Sequence, residues 1–198
     1  MGHPSPSQSL RRRVAIVAAL NLGYFGIEFT VALAIGSVSL FADSVDFLED
    51  ASINLLILAA LGWGPRMRAR VGMVLAAIIL VPGLATLWTA WEKFLIPLPP
   101  AALPLSLAGG GALAINLLCA YMLVQFRAHS GSLTRAAFLS ARNDALANVA
   151  IVAAGFVTAY TRAGWPDLIV GLGIAAMNAG AAREVWSAAR EEHKEVNS

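Results

Sequence analysis

Long apolar runs, separated by short polar connections, recur six times along this chain. A helix needs about 20 mostly apolar residues to cross the hydrocarbon core of a bilayer. The runs predict membrane helices near Val14–Ile35, Val38–Trp63, Val71–Trp91, Ala101–Phe126, Ala136–Tyr160 and Trp165–Trp186. Pro82 and Gly83 fall inside the third run and predict a kink there, since proline removes a backbone donor and clashes with the preceding turn. The expected fold is therefore all-α, a six-helix transmembrane bundle.

Composition strengthens the membrane reading. Of 198 residues, 58% are apolar and only 13% charged, where soluble domains carry about 25% charge. Mean hydropathy is +0.69. A soluble chain this short has no single core large enough to bury that much apolar surface. The net charge of +2 does not point to nucleic acid, because the basic residues cluster between apolar runs rather than along one face.

Those clusters predict orientation. Arg11–Arg13 precede the first run, and no small-residue cleavage site follows them, so an uncleaved helix is expected rather than a signal peptide. Arg66, Arg68 and Arg70 lie between the second and third runs, Arg127, His129 and Arg135 between the fourth and fifth, and Arg190 and Lys194 after the sixth. The alternate connections carry only Lys93 and Arg162. The positive-inside rule then puts both termini in the cytoplasm, in agreement with an even number of spans. Trp88, Trp91, Trp165 and Trp186 stand near predicted span ends, as interface anchors do.

Charges within a span are costly and normally face a cavity or one another. The second helix carries four acids in eight residues, Asp43, Asp46, Glu49 and Asp50. At about 100° per residue, Asp43, Asp46, Asp50 and Asn54 share one stripe and Glu49 lies to its side. On the fifth helix Ser140, Asp144 and Asn148 form a second stripe, with Asn143 beside it. Two carboxylates about 5 Å apart repel by about 3 kcal/mol at an effective dielectric of 20, so protons or a cation must compensate. If the two helices face each other, Asp46, Asp50 and Asp144 with a neutral oxygen donor make a divalent-cation site.

The alternative is structural pairing. Only Arg142 and Arg183 are basic within the spans, too few to neutralise these acids together with Glu28. Asp43, near the outer end of its helix, reads more simply as structural, and so does Glu49, as a partner for Arg142; both remain possible metal or proton-path residues, as do Asn143 and Asn148. Glu28 is the one charge in the first span and shares a face with Asn21. It suits a proton carrier, an access-path residue or a partner of Arg142. His3, His129 and His193 all lie outside the spans and read as surface residues. Cys119 sits within an apolar run and reads as a buried structural thiol. Small residues, such as Ala176 with Gly180 or the Gly109–Gly111 run, suit close helix contacts.

Gly36-Ser37-Val38-Ser39-Leu40-Phe41-Ala42-Asp43-Ser44, followed by Asp46-x-x-x-Asp50, resembles the second-helix signature of the cation diffusion facilitator family. Asn143-Asp144-Ala145-Leu146-Ala147-Asn148 resembles its fifth-helix signature, and Gly164-Trp165-Pro166-Asp167 the start of its sixth helix. The resemblance implies proton-coupled export of a divalent metal by alternating access, usually by a homodimer. It marks Asp46, Asp50 and Asp144 as metal ligands and puts the fourth position on Ser140. The family's usual ligand there is histidine. A serine hydroxyl is a poor ligand, which leaves Asn143, water or Glu49 to complete the shell. An oxygen-only shell suits Mn²⁺, Fe²⁺ or Co²⁺, while the resemblance itself implies Zn²⁺, with Cd²⁺.

The expected layout is a cytoplasmic tail over 1–12, a six-span transport domain over 13–187 and a short cytoplasmic tail over 188–198, with no C-terminal metal-sensing domain. No permanently bound cofactor is expected; the metal is cargo. The partners are divalent metal ions, protons, the lipid bilayer and a second copy of the chain. The expected location is an integral, multi-pass membrane protein, in the cell (inner) membrane if the chain is bacterial. An intramembrane hydrolase is disfavoured, since the chain has no HExxH motif. A non-transporting membrane subunit and a passive metal channel are the remaining alternatives.

Overall fold

A computed structural model of the protein describes residues 6–60, 84–124 and 132–177, with side chains described over 9–58, 84–124 and 142–177. The described residues form six helices and no strand: α1 (Pro6–Ile35), α2 (Val38–Ala60), α3 (84–95), α4 (Ala102–Val124), α5 (Ser132–Thr161) and α6 (Trp165–Met177). The expected all-α bundle is the observed one. The end of α1 at Ile35 and the starts of α2 and α6 coincide with the expected boundaries. α1 begins earlier than expected and carries the helix through Arg11–Arg13. α3 continues past Trp91 to residue 95. The Pro82–Gly83 kink, the 66–70 and 127–129 basic clusters, and everything from Asn178 onward lie outside the described residues.

α1, α4 and α5 are long and apolar enough to cross a membrane. α2 is long enough, but its four acids interrupt the apolar run. Each charge at mid-membrane costs about 2.5–3.5 kcal/mol, and an apolar residue returns only about 0.3–0.6. α2 therefore belongs in the membrane only with its acidic face covered. α1 and α5 supply that cover: α1 packs along α2, α4 along α5, and the two pairs meet through α1–α4 and α2–α5. Gly109 permits the α4–α5 approach, since a Cβ there would lie 2.7 Å from Ile151 Cγ2.

The bundle is apolar outside and polar within. Leu22, Ile27 and Leu33 of α1 and Phe156 and Tyr160 of α5 are exposed, as lipid-facing side chains are. Trp88, Trp91 and Trp165 are exposed as well. Inside, two apolar clusters lie at opposite levels. One joins Val14, Val17, Ile57, Cys119 and Leu123. The other joins Ala32, Leu40, Phe41, Leu105, Ile151 and Ile174. On α1, α2 and α4 the buried polar residues, apart from Ser39 at the start of α2, fall between the two in chain order, among them Glu28, Asp46, Asp50 and Asn116. On α5, Asn148 stands one turn before Ile151. A polar layer thus lies between two apolar plugs.

The α1–α2 turn is closely specified. Gly36 adopts φ +65°, the left-handed conformation that suits glycine after a helix end. Ser37 N–H donates back to Ala32 C=O at 3.0 Å, the bond that closes this type of helix end. Ser37 then caps α2, its Oγ accepting from Leu40 N–H at 3.2 Å. The next donors, Val38 N–H and Ser39 N–H, give to the carboxylate of Asp167 on α6, at 2.9 and 3.2 Å. Ser37 Oγ and Ser39 Oγ donate to the same carboxylate, each at 2.6 Å. Gly171, one turn along α6, makes this contact possible, because a Cβ there would lie 2.7 Å from the Val38 carbonyl carbon. Lys93 Nζ, at the end of α3, donates to Gly36 C=O.

Candidate metal centre

α2 and α5 run in opposite directions through the polar layer, and each presents an acid followed four residues later by asparagine. Asp50 is 3% exposed and Asp46 8%. Asp144 is half-buried, and its carboxylate lies within electrostatic reach of Asp46, as do those of Asp43, Glu49 and Asp50. The two stripes therefore face each other.

Both asparagines are used alike. Asn54 Nδ2 donates to Asp50 C=O at 2.8 Å, and Asn148 Nδ2 donates to Asp144 C=O at 2.8 Å. In each, Oδ1 is buried and accepts no hydrogen bond. Because the helices are antiparallel, Asn54 stands one turn from the acids toward one plug and Asn148 one turn toward the other. Unfilled amide oxygens thus bracket the carboxylates along the bundle axis.

A second pair of acids lies on the side of Asn148. Glu28 of α1 and Asp43 of α2 are fully buried, and their carboxyl groups are neighbours. Asn148 stands next to Asp43. No donor reaches any carboxyl oxygen of Glu28 or Asp43. Tyr24, one turn before Glu28, is held by a 2.6 Å bond from its hydroxyl to Ala108 C=O and by Phe47, ring centroids 5.0 Å apart.

The other sequence-predicted residues stand apart. Glu49 is half-buried beside the stripe. Asn143 is exposed, and its Oδ1 accepts from Arg142 Nη2 at 3.3 Å. The Ser140 backbone belongs to α5, and its side chain lies outside the described residues. Among the described residues, no three Asp, Glu, His or Cys side chains are drawn together tightly enough to hold a metal ion unaided. The acids face one another across a layer that must contract around a cation or be completed by neutral oxygens. Sequence reasoning overlooked Asn116, buried on α4 with Oδ1 unfilled; a lone amide in an otherwise apolar run was the available signal. It also assigned no role to Lys93 or Asp167.

What this layer can do chemically is hold a hard or borderline divalent ion in an anionic, oxygen-lined space closed by apolar plugs. The family model for the cation efflux transmembrane domain matches residues 14–191 of the chain.

Proposed function

Because this chain belongs to the cation efflux, or cation diffusion facilitator, family of integral-membrane metal-cation transporters, we propose that it exports a divalent transition metal from the cytoplasm in exchange for protons, through Asp46, Asp50 and Asp144. The observation that carries this reading is the meeting of the α2 and α5 acid stripes inside the polar layer. Their mutual repulsion is offset either by protons or by one M²⁺. Loading the metal displaces protons, and readmitting protons on the other side displaces the metal. The apolar plugs give alternating access its two gates, since each must part for the layer to reach water on its side. In this reading Zn²⁺ is the first cargo, with Cd²⁺, Mn²⁺, Fe²⁺ and Co²⁺ as competitors for an oxygen-rich site. Both termini face the cytoplasm, the working form is a homodimer, and the membrane is the cell membrane.

The test is reconstitution into liposomes that enclose a metal-sensitive dye. Influx of the five metals is compared for wild type and Asp50→Ala, with and without an imposed proton gradient. Flux that needs Asp50 and follows the gradient supports the exchanger. Flux indifferent to the gradient means a passive channel. No flux from folded protein means a non-transporting subunit.

A further inference from the structure

From the unfilled oxygens of Glu28, Asp43 and Asn148 we infer that the bundle contains a second cation station, separate from the Asp46–Asp50–Asp144 centre, where the cargo ion rests before it passes the Leu40–Ile151 plug. The inference rests on the transport reading above and adds a second stop to it.

The argument starts from position. Asp43 precedes Asp46 by three residues on α2, which is about 4.5 Å along the helix; Asn148 follows Asp144 by four on the antiparallel α5, about 6 Å. Both displacements run toward the same plug. Glu28, on α1, reaches the same level and adjoins Asp43. The three side chains come from three different helices, yet none is exposed at all.

Chemistry says what belongs there. Fully buried carboxylates are normally paired or coordinate a metal. Here neither Glu28 nor Asp43 receives a single hydrogen bond, and the amide oxygen of Asn148 is unfilled beside them. Asn148 Nδ2 gives one of its two N–H groups to Asp144 C=O and leaves the other on the side of Asp43, beyond hydrogen-bond distance. The set offers five unfilled oxygens: both of Glu28, both of Asp43 and Oδ1 of Asn148. Two carboxylates match the charge of one M²⁺, and a neutral amide oxygen adds a third donor without excess charge. A smaller anionic charge than that of the first centre makes the station the weaker of the two, which suits release.

Cd²⁺ binding to the full-length protein in detergent tests this, by equilibrium dialysis of wild type, Asp50→Asn/Asp144→Asn, Glu28→Gln/Asp43→Asn and the fourfold variant. The amides keep shape, and circular dichroism checks the fold. Wild type should bind a second Cd²⁺ more weakly than the first. Glu28→Gln/Asp43→Asn should lose only the weaker ion, Asp50→Asn/Asp144→Asn should keep it, and the fourfold variant should bind none. Should the double variant misfold, single Glu28→Gln should still weaken the second ion by about 10–100-fold, as loss of a supporting ligand group does. A weaker ion that survives Glu28→Gln/Asp43→Asn unchanged overturns the station. A pair that merely holds a proton shows itself as unchanged Cd²⁺ stoichiometry with fewer protons released per ion, and overturns it too. If Asp50→Asn/Asp144→Asn loses nothing, the first centre fails instead, so the two readings are separable.

Discussion

Asp167 and Asp43 are the same residue type at the same burial, neither exposed at all, and their surroundings are opposite. Asp167 takes two backbone N–H groups and two serine hydroxyls. Asp43 takes none and has another carboxyl for a neighbour. The first is a helix cap delivered from another helix: it satisfies donors that α2 cannot satisfy itself and places a negative charge at the positive end of α2. The second has its lone pairs in reserve. Burial is the same for both acids; what separates them is the census of donors around each.

Asp167→Ala puts that contrast to its hardest test. It strands two backbone N–H groups of α2 within the protein, and each unsatisfied buried donor costs about 1–3 kcal/mol. We expect a loss of about 2–5 kcal/mol, read as a large fall in the thermal midpoint in detergent, with transport lost because the bundle loosens. A variant as stable as wild type would reduce Asp167 to an incidental neighbour. Gly171→Ala attacks the same junction by sterics. Its Cβ would lie 2.7 Å from the Val38 carbonyl carbon, so α6 must withdraw from α2. Overpacking of this kind costs about 1–3 kcal/mol, and the shift should lower the midpoint less than Asp167→Ala does.

This junction also marks where the sequence stops being readable. The helices were legible because each is a long, mostly apolar run. The stripes Asp43–Asp46–Asp50–Asn54 and Asp144–Asn148 followed from helical periodicity alone. The cap was not legible. Asp167 lies 129 residues from Val38, and nothing local at either position announces the other. Glu28 was legible as a lone intramembrane acid but not as a neighbour of Asp43, because only the packing of α1 on α2 sets their register. Gly171 looked like any other membrane-helix glycine until the atom it makes room for was known.

Glu28→Gln and Asp43→Asn sharpen the other half of the comparison. A carboxylate without donors contributes no hydrogen bond to lose, and neutralising either acid relieves repulsion between them. Each single amide should therefore leave the stability within about 1 kcal/mol of wild type, or raise it, while metal flux falls. The pairing of a steady midpoint with lost flux is the reverse of the Asp167→Ala pattern. A large destabilisation by either amide would mean that the pair is holding helices together after all.

The smallest effect belongs to Lys93, which lies past the predicted end of its span and donates to Gly36 C=O. Burial lowers its pKa from the 10.5 of a free lysine, and the nearby Asp167 carboxylate opposes that shift. The sign follows from proton counting. Between the lowered folded value and 10.5, the unfolded chain holds more protons than the folded one, so stability rises with pH across that window. The neutral amine still has hydrogens to give to Gly36, so the bond outlasts the charge. Lys93→Met should therefore flatten the rise of the thermal midpoint on the alkaline side, and Asp167→Asn, by removing the opposing charge, should steepen it. A wild-type midpoint that falls across that window, in a manner Lys93→Met abolishes, would show the lysine charge to be a partner of Asp167 rather than a burden on the turn.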